Sequence, residues 1–307
     1  MMARARTSLA LIADRPELWL PGALANLAFL GWLPFVLAVV GPPSQGDLAF
    51  FTAGLVTSSA FPVNVIVLGA IVALLGMTAS LFVAAGETLL MGAIRSLHGS
   101  PPGARSFDEE VLRVWAAQVL AALPALLAAA ILGLGLAAVA PGEYQSPDIR
   151  GPILLRLAGD LWPLEVALLG TILIGQIYGS AAVRRAAGET AASFPQALAA
   201  AGRDVIQRPV SLLTVAIVTA AFDAVWLIGS WALLHLLWSP IGSDLAGGRV
   251  ADPSVALLLV AFIAIWLCVV AIGGAVHVWS SVWWSLELGE PTRTAETTAA
   301  GEGAGLR

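Results

Sequence analysis

Of the 307 residues, 59% are hydrophobic and 11% are charged, whereas soluble domains run near 45–50% and about 25%, so water is excluded as the main solvent. A formal net charge of −5 and the lack of a basic stripe exclude a nucleic-acid-binding face. The loops between apolar runs are too short for a separate soluble catalytic domain.

In chain order, Arg4 and Arg6 precede a short apolar stretch that Asp14, Arg15, Pro16 and Glu17 interrupt. No cleavage site follows, so no signal peptide is expected. Leu9, Ile12 and Ala13 share a helical face before Pro16, as in a short surface helix. A first span is expected from Leu18 to Val40 and a second from Pro62 to Ile94, long enough to project beyond a hydrocarbon core that needs roughly 20 helical residues. The third covers Val114 to Ala140, with Pro124 as an expected kink. The fourth runs from Leu161 to Val183, with Pro163 in its first turn. The segment from Ser193 to Arg208 places Ala197, Leu198, Ala201 and Val205 on one face, while Arg203 and Arg208 reach toward head groups, as in a helix lying on the inner membrane surface. The fifth span extends from Pro209 to Trp238. The sixth starts at Asp252 and Pro253, an N-cap and first helical position, and ends near Leu286. The tail from Glu290 to Arg307, rich in Thr, Ala, Gly and Glu, is expected to be disordered.

All basic residues are arginines. Twelve of them (4, 6, 15, 95, 105, 113, 184, 185, 203, 208, 293 and 307) fall on the side of the termini and three (150, 156 and 249) on the other. This bias places both termini in the cytoplasm of a cell (plasma or inner) membrane protein. Trp19, Trp115, Trp162, Trp238, Trp283 and Trp284 lie near span ends, as an aromatic belt would place them.

Two stretches match at fixed spacing: Gly86-Glu87 followed by Ala93-Ile94-Arg95, and Gly175-Gln176 followed by Ala182-Val183-Arg184. Ser106-Phe107 and Ser193-Phe194 each open the next segment, with Glu109 and Gln196 three residues after the serine in a capping-box pattern. The expected architecture is all-α: about six transmembrane helices in one domain over 1–289, arranged as three hairpins with short amphipathic cytoplasmic interface helices. The repeat units span 7–96, 106–185 and 193–288. The Ser-Phe starts, the Ala-Ile-Arg and Ala-Val-Arg span ends and the Arg208-Pro209 pair resemble a broad group of six-helix prokaryotic membrane proteins, including the membrane domain attached to some glycerophosphodiester phosphodiesterases. The resemblance implies a fold and a membrane location and carries no chemistry over, because no catalytic phosphodiesterase domain is present.

Ionisable groups inside a bilayer are costly and mark functional sites by default. Asp223 lies near the centre of the fifth span, as a proton or cation site or as a carboxyl bonded to neighbouring helices. Glu87 and His277 have similar expected depth and can pair across the bundle. Gln176, at the repeat position of Glu87, offers a neutral hydrogen-bonding counterpart. Glu165 and His235 lie toward outer ends. Gly175 with Gly179, and Gly273 with Gly274, are expected at close helix contacts. Cys268, the single cysteine, is read as a small buried apolar residue. Seven of the eleven tryptophans fall in the last third, where packing is preferred to an aromatic ligand pocket. Phosphate-cradling, zinc-protease and nucleophile-elbow motifs are missing, and no cofactor or metal centre is expected.

Three functions remain open. The leading one is a non-enzymatic structural or interaction component, or one handling lipid or small solutes, with membrane lipid as partner. The second is the permease subunit of an ATP-driven transporter with an ATPase partner, on a loose likeness of Gln196 to Pro209 to a coupling segment. The third is an intramembrane lipid-modifying enzyme using Glu87, His277 and Asp223, which requires at least two of them to converge.

Overall fold

The computed structural model describes residues 2–41, 45–97, 106–145, 152–187, 193–248 and 252–289. The tail from 290 lies outside them, as do Arg105, Arg150 and Arg249. Among the described residues every regular element is helical. α1 (Met2–Asp14) is followed by a 3-10 turn (Pro16–Leu18), α2 (Trp19–Asn26), a π-helical turn (Leu27–Gly31) and α3 (Leu33–Val40). Then come α4 (Gln45–Thr57), α5 (Val63–Leu97), α6 (Phe107–Gln145), α7 (Ile153–Ala187), α8 (Phe194–Gln207), α9 (Pro209–Ala246) and α10 (Pro253–Leu288). Five of these helices are long and apolar enough to cross a membrane, and the pair Pro16–Gly31 with Leu33–Val40, bent by 41°, brings the number to six when counted as one broken span.

Local chemistry sets several helix starts. Asp108, Glu109 and Glu110 fill the first turn of α6, where carboxylates favour the helix dipole, and the Glu109 N–H donates to Ser106 Oγ at 3.4 Å. Asp252 caps α10, its side chain accepting from Ser254 N at 2.9 Å, with Pro253 in the first turn. Pro209 opens α9 directly after α8. In the second hairpin, therefore, the serine opens the long helix itself, whereas in the third Ser193 opens the separate helix α8.

The ends of α5, α7 and α10 gather with the starts of α6 and α9, alongside α1 and α8, at what we call the basal end. There the core is continuous: Leu18, Leu90 of α5, Val114 of α6, Ala182 of α7, Leu212 of α9 and Val278 of α10 belong to one buried cluster. The apical end is divided. Ala38 of α3, Leu234 and Ile241 of α9, and Val255 and Phe262 of α10 form a second core. Tilted ring contacts tighten it, with Phe35 at 5.5 Å from Phe262 and 5.1 Å from Trp266. α6 and α7 pack on each other. α5 stands apart, with no buried residue from 63 to 83.

The broken first span causes the division. α2 packs between α5 and α10, but beyond the π turn and the bend at Trp32–Pro34 the chain continues as α3, which packs on α9 instead. α5 thus loses its neighbour halfway up. A π turn leaves carbonyls without their usual helical donors, and here Trp266 Nε1 donates to Gly31 O at 3.0 Å.

Several expected boundaries move. α7 begins at Ile153, so Pro163 lies inside it rather than in its first turn, and Pro124 lies within an uninterrupted α6. α9 continues past Trp238 to Ala246. The helices outrun the apolar windows because intrahelical hydrogen bonding does not stop at the lipid boundary: Arg156 and Glu143, which limited the windows, pair at 2.6 Å beyond them. α4, a 13-residue helix too short to cross, was not anticipated. Cys268 is exposed on α10, not buried. Arg208 turns inward, Nη1 donating to Glu287 O at 2.8 Å, instead of reaching toward head groups.

Candidate functional site

Four long helices each contribute one ionisable side chain to the basal half of the bundle axis. Glu87 comes from α5, Arg184 from α7, Asp223 from α9 and His277 from α10. α2 closes one flank, because small residues let backbones approach: a Cβ on Gly86 would lie 2.7 Å from Ala25 Cα, and one on Gly274 would lie 2.5 Å from Ala23 Cα. The resulting close contact seats α5 and α10 on either side of α2 and points Glu87 and His277 at each other. His277 Nε2 and Glu87 Oε1 are 2.5 Å apart, and Glu87 is buried.

Arg184 acts electrostatically on both members of this pair. Its guanidinium is held by Ser180 O at 2.8 Å and Ser281 O at 3.2 Å and lies 5.8 Å from the ring centre of Trp284. Arg184 Nε and Glu87 Oε2 are both buried without a hydrogen-bond partner. Asp223 lies close enough for its charge to act on His277. It is half-buried, and no hydrogen bond to it is formed among the described residues. Three of the four candidate polar residues are thus placed as follows: Glu87 and His277 in direct contact, Asp223 beside them. The fourth, Gln176, is exposed on α7 and takes no part.

Arg184 was not among the sequence candidates. It had been counted with the basic residues outside the lipid, yet it sits three residues before the end of α7 and faces inward. Its signal was available in the Ala-Val-Arg motif, where an arginine follows directly on an apolar run. Of the other candidates, Glu165 is half-buried, while His235 is exposed and its ring stacks on Trp231 at 6.0 Å. Gly175 and Gly179 meet Ala121 of α6, and Gly273 meets Asn26 and Trp226.

The helix faces above this cluster are open. Spacings of 11 and 18 residues, close to whole turns at 3.6 residues each, put Gly76 and Gly69 on the face of α5 that carries Glu87. A Cβ on either glycine would meet nothing within 4 Å. The same spacings put Leu173 and Val166 above Arg184 on α7, and both are exposed. Exposed apolar faces of α5 and α7 thus rise on the apical side above the ionisable cluster.

Chemically, the Glu87–His277 pair holds one proton between an oxygen and a nitrogen that face each other. A general base needs its lone pair within reach of a substrate proton, and here those two atoms are taken up by one another. Among the described residues no group of three His, Cys, Asp or Glu side chains is placed to hold a metal ion. No family model, curated protein or solved structure matches the chain.

Proposed function

We propose that the protein is a non-enzymatic, multi-pass component of the cell membrane that handles lipid or a lipid-like small solute in a crevice between α5 and α7. Both termini face the cytoplasm in this reading, on the strength of the arginine bias. The observation that carries it is the open face of α5: Gly69 and Gly76 stand above Glu87 with no protein atom near them. A cleft with apolar walls and a polar base matches an acyl chain ending in a head group. The convergence of Glu87 and His277 meets the condition set for the enzyme reading, but the two facing atoms are taken up by one another. The permease reading places its partner ATPase at α8, but α8 turns Ala197, Ala201 and Asp204 into the bundle and ties itself to α7 through Arg185–Asp204 at 2.8 Å.

The test is purification in mild detergent with mass spectrometry of everything retained, for the natural protein and for Gly69→Trp/Gly76→Trp. Bulky side chains in the crevice are expected to reduce retained lipid by at least half, since each bound chain loses its apolar contacts. Equal lipid in both preparations overturns the reading, and a reproducibly retained ATPase replaces it with the permease.

A further inference from the structure

The charges around His277 can be counted. The Glu87–His277 contact at 2.5 Å requires one bridging proton. Whether that proton rests on oxygen or nitrogen, the pair is neutral as a unit when the second imidazole nitrogen carries its own hydrogen. Arg184 adds one fixed positive charge. α1 and α2 also pack on α10, and neither places a charged group against His277 among the described residues: Arg4 of α1 is taken by Glu287 at 3.0 Å, and the inward polar group of α2 is Asn26. The sum over Glu87, His277 and Arg184 is therefore plus one, and Asp223 decides the total. An ionised Asp223 makes the cluster neutral, and a protonated Asp223 leaves it positive.

We propose that Asp223 is a proton-binding group that sets the charge at the base of the crevice, and that the crevice accepts an anionic amphiphile when Asp223 is protonated. The inference rests on the crevice reading above and names the class of its occupant. The step is a single proton exchange: a hydronium ion gives H⁺ to the Asp223 carboxylate, an O–H bond forms, and water leaves. Of the four groups, Asp223 is the one suited to exchange, because it is half-buried and makes no hydrogen bond, while Glu87, His277 and Arg184 are each fixed by a partner. A metal cation is disfavoured at the same place by Arg184. With the proton bound, the surplus positive charge has no further counter-ion acting at His277 among the described residues, and an anionic head group descending the apolar crevice supplies one. Proton and anion thus bind together with no net charge.

The experiment reads motionally restricted lipid by electron spin resonance, with spin-labelled phosphatidylglycerol or spin-labelled phosphatidylcholine as probe in phosphatidylcholine bilayers holding the full chain. Phosphatidylglycerol keeps its charge across the range from about pH 8 to about pH 5 over which the preference is read. The restricted phosphatidylglycerol fraction, relative to phosphatidylcholine, is expected to rise at least about threefold toward low pH, the size of effect one charge exerts at partial burial. Asp223→Asn is expected to show the low-pH value throughout. A variant that tracks the natural protein, or no preference for phosphatidylglycerol at any pH, overturns the inference while leaving the crevice intact. If neither probe is restricted in the natural protein beyond what Gly69→Trp/Gly76→Trp shows, the crevice reading itself fails. Should Asp223→Asn not fold, the infrared carbonyl band of a protonated carboxyl in the natural protein must appear over the pH range of the lipid response, and its absence there also overturns the inference.

Discussion

The basal and apical halves of the bundle are built from the same long apolar helices, yet only the basal half is packed throughout. At the basal end, glycines and alanines bring α2 against α5 and α10, and one core runs through all the long helices. At the apical end the first span has crossed over to α9, α6 and α7 pack on each other, and α5 has no buried residue from 63 to 83. In lipid, apolar residues gain little by leaving the solvent for one another, so hydrophobicity does not decide where helices touch. Close backbone approach and interhelical hydrogen bonds decide it.

The close backbone contact at glycine tests that comparison directly. Gly274→Leu drives a side chain into the backbone of Ala23 and should cost at least about 1–3 kcal/mol as overpacking, enough to abolish a monodisperse peak in size-exclusion chromatography. Gly76→Leu, on the open face of α5, should leave the peak and the melting midpoint unchanged. Equal damage from both would mean that α5 is in fact enclosed.

The largest expected effect in free energy belongs to the ion pair. Removing one partner by Glu87→Leu or His277→Leu strands a buried polar group and should lower the melting midpoint by the equivalent of about 3–5 kcal/mol. The double variant should recover part of that loss. Additive losses in a thermal double-mutant cycle would show that the two side chains do not depend on each other.

The smallest effect lies in the apical half, between two tryptophans. Trp266 Nε1 donates to Gly31 O at the π turn, so Trp266→Phe should cost about 0.6 kcal/mol, the average for an interhelical hydrogen bond in a bilayer. Trp231 Nε1 is buried without a partner, so Trp231→Phe should be neutral or stabilising. The order of the two midpoints checks whether the indole supports the broken span.

The spans themselves were legible because 20-residue apolar runs have few alternatives to helix, and the Glu87–His277 pairing was legible because both residues sat at matching depth. The break in the first span was not read, although Pro34, just beyond Leu27–Gly31, has no N–H to bond back to Leu30 O. An indole from α10 then meets the freed carbonyl of Gly31. Arg184 and Arg208 were misplaced for a related reason. Arginines counted as markers of membrane side instead serve α10, with Arg208 on Glu287 O and Arg185 on Leu288 O at its end and Arg184 on Ser281 O further inside. Positive charge at a helix C-terminus satisfies carbonyls that have no intrahelical donor, so one residue type answers two demands that composition alone does not separate.

The cap on α10 also bears on how the chain is assembled during synthesis. A growing polypeptide emerges from its N-terminus, so α7 and α9 are in place, arginines included, before the end of α10 has been made. α1 and α2, which precede α10 in the chain, also find their main partner in that helix. They therefore stay without it until α10 has been made, and the bundle closes only when Leu288 has been delivered to its arginines.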